Sequence, residues 1–272
     1  MTDLALLETP PNRAPLRNTV LGGAIVLAVA GVAVLLAGPG LYRAGVITVE
    51  QATVGVETVG MWVFGAGLVF VVLGLAASFF ARSHKGVILA VLAGIANGYG
   101  FGHLYGQGEL RKDLPPMWDA QTDWTKPIAF SEKTTKEREA AKAVPVKDNA
   151  TFPPSATDWF GMPFSVAQEK VYTEIPSLTV RGSLAEATKA AAQGAEQLGW
   201  EVTVNDPATG VVEAVSRTFW YGFVSDVAVR VQAQGETSRV DIRSTSRIAA
   251  ADMGANAAQV KALSNEIALI LR

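Results

Sequence analysis

The sequence predicts an α-helical three-span membrane anchor followed by an exported α+β domain, whose antiparallel sheet carries helices on one face. Three observations predict it. Uncharged apolar runs of about 20 residues, the length that crosses a bilayer, recur within positions 18–108. A proline-rich, aromatic-rich stretch follows over 109–176. From Ser177 onward the apolar periodicity alternates between strand and helix in the order β-α-β-β-β-β-α.

The chain has 272 residues, of which 49% are apolar and only 18% charged, and the apolar excess is concentrated in the first half. A net charge of −2 excludes long-range attraction to nucleic acid. The absence of cysteine excludes disulfides, thiol catalysis and thiolate metal sites.

The first 17 residues form an N-terminal tail. The first span covers about 18–41, and Pro39-Gly40 is expected to break it. Its length, with two more spans behind it, argues against a cleaved signal peptide. The second span, about 59–81, is centred on WVFGAGLVFVVLGLAASFF with Trp62 at an interfacial position. The third, about 86–107, begins GVILAVLAGIA and ends in a glycine-rich half holding Asn97 and His103, toward the end that water or headgroups reach. Gly65, Gly67, Gly74 and Gly94 are expected to mark close packing within one bundle. Arg13, Arg17, Arg82 and Lys85 put positive charge on the side of the N-terminus. On the other side Arg43 is offset by Glu50 and Glu57, while Arg111 and Lys112 beyond the third span argue the opposite way; the balance favours the first. The expectation is a cytoplasmic N-terminus and an exported C-terminal half: a multi-pass protein of a bacterial inner membrane with a periplasmic domain.

Residues 109–176 read as a linker, extended or irregular, with one short helix at KTTKEREAAKA that has no apolar face. Trp118, Trp124, Phe130, Trp159 and Phe160 are too many aromatics for free chain. They are expected to dock on the following domain or on the membrane surface.

Within 177–272, SLTVRG is a strand, and Ser183 with Glu186 forms a capping box that opens a helix stopped by Gly199. Trp200–Val204, Val211–Phe219, Asp226–Gln232 and Arg239–Ile248 follow as strands of an antiparallel meander. Asn256 is expected to cap the last helix, which carries Val260, Leu263, Ile267 and Ile270. Both helices need apolar surface to bury, so they cover one sheet face. The other face carries Arg230, Arg239, Asp241, Arg243 and Asp226.

The site-like stretch is Arg239–Asn256, RVDIRSTSRIAAADMGAN, a strand-to-helix corner rich in hydrogen-bonding groups. Together with FWYGFVSDVAVRV, it resembles the family known as domain of unknown function 1499. The matching positions are Gly222, Phe223, Asp226, Asp241, Arg243, Ser244, Ser246, Arg247, Asp252, Gly254 and Asn256. Upstream, PPMWDAQTDWTKPIAF is similar at Asp119, Thr122, Asp123, Pro127 and Phe130. Ser225 stands where a second acid is common, and Ala249 where glycine is common. The resemblance implies the architecture and a membrane location; it implies no activity.

His84 and His103 lie in the span region, away from Ser244 and Ser246, so a Ser-His-Asp triad is not expected. Asp226, Asp241 and Asp252 are interleaved with arginines that neutralise them, so no metal is expected. No phosphate loop, dinucleotide fingerprint or zinc spacing occurs, so no cofactor is expected. Three readings stand. Arg243, Arg247, Ser244 and Ser246, with Asp226, Asp252 and Asn256, can hold a small anionic envelope ligand, or the same groups can pair with one another as scaffolding. The aromatic turn Phe219–Phe223, with Trp220, Tyr221 and Phe223, can present a surface to an envelope protein partner. The alternative class is an envelope hydrolase or transferase using the Asp/Arg/Ser corner. An open pocket at Arg243 and Arg247 favours ligand or enzyme; a filled corner favours scaffolding.

Overall fold

In the computed structural model the described residues are 14–248 and 252–272, so Arg13, most of the N-terminal tail and Ala249 lie outside them. The chain divides into two compact units, with the boundary between Glu109 and Leu110.

The first unit is helical. Helix α1 spans Ala14–Arg43. A π-helical turn, Gln51–Gly55, runs directly into α2, Val56–Phe80. Helix α3 spans His84–Asp113, its last turn belonging to the second unit. All three are long and apolar enough to cross a membrane by length and composition, which makes this a membrane-anchored protein. The expected break at Pro39 does not occur; α1 continues through it to Arg43. One proline removes a single backbone N–H, and in an apolar solvent every other peptide group still needs its intrahelical partner.

Glycines set the packing of this bundle. The Phe64 ring lies between Gly31 of α1 and Gly100 of α3, where an added Cβ would come within 2.6 Å of it on either side. Gly74 faces Leu21, Gly94 faces Val71, and Gly65 faces Phe101. Asn97 is not at a wetted end: it is fully buried. Its Nδ2 donates to the carbonyls of Ala24 (3.1 Å) and Ala93 (2.9 Å), and its amide oxygen sits against Gly67.

The second unit contains β1 (Asp119–Gln121), α4 (Glu132–Ala140), α5 (Phe164–Val171), β2 (Leu178–Arg181), α6 (Leu184–Gln197), β3 (Glu201–Asp206), β4 (Val211–Arg217), β5 (Val224–Gln234), β6 (Thr237–Ser246) and α7 (Ala255–Ile270). From β2 onward this is the order the sequence predicts. The antiparallel sheet runs β1-β6-β5-β4-β3, and β2 shares the outer edge of β6 with β1.

Helix α6 begins as expected, with the Ser183–Glu186 capping box formed in both directions; such a cap contributes about 1 kcal/mol. It ends before Gly199, whose φ of 76° suits a residue without a Cβ. The small side chains Ala187, Ala190, Ala191 and Ala195 let α6 lie close on the sheet, and α7 adds Val260, Leu263 and Ile267 beside it. Val212, Val227, Val229, Val240 and Ile242 complete this core from the sheet side.

The opposite face of the sheet is the main departure from the sequence reading. Rather than lying open, it is covered by residues 119–148, which supply β1 to the sheet edge and α4 across its face. Further along, Phe152, Phe164 and Met117 build a second apolar cluster, with Trp118, Trp124 and Trp159 packed on it. Thus Trp118, Trp124 and Trp159 dock within this unit, whereas Phe160 remains exposed.

Candidate functional site

Strand β6 alternates, so its side chains divide between the two faces. Val240, Ile242, Ser244 and Ser246 point to α6 and α7; Arg239, Asp241, Arg243 and Thr245 point to the covering segment. The corner is therefore two sites back to back, and the structure does not bring Arg243 and Arg247 together with Ser244 and Ser246.

On the helix side, Ser244 Oγ donates to Asn256 Oδ1 at 2.7 Å and lies 2.6 Å from the Gln259 amide. Asn256 Nδ2 donates to Ser246 Oγ (2.9 Å) and to Asp252 Oδ2 (2.6 Å). Asp252 also accepts from the backbone N–H groups of Gly254 and Asn256. Hence Asp252, and not Asn256, caps the start of α7. A carboxylate at a helix N-terminus satisfies its free N–H groups, while the Asn256 side chain, fully buried, is turned into the sheet. Burial pushes the Asp252 carboxyl above its usual range and the nearby Asp119 charge adds to this, against the lowering effect of those hydrogen bonds.

On the other side the charges form a closed layer. Arg243 grips Asp119 through Nε (3.1 Å) and Nη2 (2.5 Å), and also donates to the carbonyls of Ile128 (2.8 Å) and Lys147 (2.7 Å). Asp226 is held from two directions. Arg247 donates to it at 2.7 and 2.9 Å, and Arg138 of α4 donates at 2.5 Å. The hydrogen bonds to Asp226 lead in raising the Arg247 pKa; burial dominates at Arg138 and lowers it against the Asp226 charge. Arg230 and Arg239 share Asp241 and Asp123. Glu213, buried in β4, accepts from Ser131 Oγ at 2.7 Å and from Thr134, and so holds the first turn of α4.

Five arginines thus meet four aspartates of the same chain, Asp119, Asp123, Asp226 and Asp241. A buried ion pair is a weak source of net stability, but removing one partner strands a charge. An open cavity of about 430 Å³ lies beside this layer, between α4 and residues 143–148, with Phe130, Thr135, Val144 and Pro145 in its walls. Arg138 and Arg243 reach its inner side already committed to Asp226 and Asp119, and Arg243 is fully buried. Among the described residues no group of three or more His, Asp or Glu side chains is arranged to hold a metal ion.

The sequence reading missed Arg138, Glu213 and the pairing role of Asp119. The strand period could have separated Arg243 from Ser244. Nothing in the sequence of α4 marks Thr134 and Arg138 as its buried positions.

The third predicted feature, the β4–β5 turn, is exposed. Phe219 is 83% and Trp220 59% accessible, with rings edge-to-face at 5.3 Å, while Tyr221 and Phe223 stack at 5.0 Å and are half-buried.

Fold and site together define a class: a membrane-anchored protein whose α+β domain encloses an arginine–carboxylate layer. The chain belongs to the family described as "Protein of unknown function (DUF1499)", whose family model matches residues 119–267. The match begins at β1, the strand that carries Asp119, and so includes the covering segment as well as the sheet. No curated protein matches the chain.

Proposed function

We propose that this protein is a contact-acting module of the cell envelope: three spans hold it in the inner membrane, and the exported domain binds through its aromatic turn. The observation that carries this reading is the exposure of Phe219 and Trp220 at the end of the β4–β5 hairpin. Exposed aromatic rings on a fixed scaffold are the groups that dominate binding surfaces. The charge layer supports the same choice over an anionic ligand. Each guanidinium of the corner already has a carboxylate of its own chain, so an incoming anion would have to displace one. Arg17, Arg82 and Lys85 flank the first three span ends on the side assigned to the cytoplasm.

Single cysteines test this in a chain that has none of its own. In spheroplasts, Ala208→Cys on the exposed β3–β4 turn is expected to react with a membrane-impermeant maleimide, and Phe219→Cys much more slowly. Failure of Ala208→Cys to react until the membrane is opened refutes the exported orientation. Equal rates at both positions refute the contact surface.

A further inference from the structure

The exposed aromatic side chains of the second unit gather where the chain enters it. Residues 114–118 lead from α3 into β1, where Asp119 stands opposite Thr245, and Thr245 opposite Asp226. One step toward the aromatic turn, the Ser246 N–H donates to the Trp118 carbonyl (2.8 Å), and the next, the Arg247 N–H donates to the Val224 carbonyl (2.9 Å). Val224 pairs with Arg217, and the turn 218–223 starts there. Phe219 and Trp220 therefore lie at the sheet end that receives the chain. Phe160, 62% exposed, follows Trp159, which packs in one cluster with Met117 and Trp118. The turns at the far end of the sheet carry Pro207, Ala208, Gly235 and Glu236, with no aromatic ring.

We propose that this aromatic end inserts into the headgroup–acyl boundary of a lipid bilayer, with Phe219 and Trp220 as the inserting rings and Phe160 as a further contact. The proposal rests on the reading of the turn as the contact surface and names its partner as lipid. Residues 114–118 carry the chain from α3 into β1, so the second unit receives the chain of the membrane anchor at this end. Trp and Phe rings settle at that boundary because one side of their surroundings is apolar and the other wet. The flanking charges nearly cancel. Arg217 and Arg247 on this end are offset by Glu137, 3.9 Å from Arg247, and by Glu201, whose charge also acts on Arg247. Insertion is thus driven by apolar burial, and zwitterionic lipid is sufficient for it.

The test uses the full chain reconstituted in phosphatidylcholine vesicles, with an environment-sensitive fluorophore on one introduced cysteine at a time. With Phe219→Cys or Phe160→Cys, the label is expected to lose most of its emission to lipids carrying a nitroxide near the headgroup, and to resist aqueous iodide. The Ala208→Cys label should behave oppositely. In the Phe160→Cys background, adding Phe219→Ser and Trp220→Ser should weaken the lipid quenching while the folded domain's circular dichroism is unchanged. A Phe219 label shielded from iodide but untouched by lipid nitroxide overturns the lipid assignment and leaves a contact surface covered by a second copy. A Phe219 label as open to iodide as the Ala208 label overturns both readings.

Discussion

Arg243 and Asp119 face each other across the seam between β6 and β1, joined by two hydrogen bonds of 3.1 and 2.5 Å with side chains 0% and 5% exposed. The pair joins residues 124 positions apart and fastens the covering segment to the sheet. Arg243→Ala leaves the Asp119 charge buried and should destabilise the second unit by about 3–5 kcal/mol. Arg243→Met combined with Asp119→Leu should cost much less than either charge removed alone. Urea unfolding of the full chain in detergent micelles measures both. An Arg243→Ala variant as stable as the parent would end the scaffolding account of this residue.

Arg138 connects α4 to Asp226 and to the carbonyls of Val144 and Ser246. Arg138→Ala should release the covering helix, so hydrogen exchange over residues 132–148 should rise far more than in α6. Arg138→Lys should not restore protection, because a point-like ammonium cannot span the four acceptors, the Thr245 carbonyl included, that the planar guanidinium meets together.

Asp252 gives a pH dependence of definite sign. Its folded pKa is raised above 3.8, with burial as the first cause. The folded state therefore binds more protons than the unfolded one between those two values, so this group's contribution to stability declines as pH rises from about 4 through the raised folded pKa. The stability of Asp252→Asn relative to the parent should climb over that window and then level off. A difference that is flat from pH 4 upward would mean the carboxyl is not perturbed.

The Tyr172 hydroxyl is buried with no hydrogen-bond partner among the described residues, and burial together with the Asp252 charge raises its pKa to about 12. An unmade hydrogen bond costs about 1–3 kcal/mol of desolvation. Tyr172→Phe should accordingly leave stability unchanged or raise it, read as the thermal midpoint of the same chain in micelles. A large loss would point to an acceptor for this hydroxyl.

Gly31 and Gly100 enclose the Phe64 ring, and a methyl group at either would meet it at 2.6 Å. Gly31→Ala should therefore loosen the bundle, lowering the detergent or temperature threshold at which the spans separate. Gly31→Ala combined with Phe64→Leu should recover part of the loss by making room. Gly22→Ala, where nothing lies within 4 Å, is the matched control.

The strand and helix order from Leu178 to Ile270 was legible because each element there carries its own period: Val227, Val229 and Val231 alternate, and Leu263, Ile267 and Ile270 recur at helical spacing. The covering segment was less legible for the same reason. Helix α4, EKTTKEREA, has no apolar stripe, because the side chains it buries are Thr134 and Arg138, and the partner that neutralises Arg138 comes from β5. The serines and arginines of the corner are indeed densely bonded, yet treating them as one cluster ignored the alternation that places Arg243 and Ser244 on opposite faces.

By itself the sequence determined the three spans, the α+β order and the capped start of α6, all of which follow from local periodicity and local hydrogen bonding. Only the tertiary structure decided what the charged face meets. Whether Arg243 waits for a ligand or is already held depends on Asp119, and the partner of Arg247 is shared with Arg138 of a helix more than a hundred residues earlier in the chain. Electrostatic pairing at that separation leaves no periodic trace in the sequence, since it is fixed only when the sheet brings its strands together.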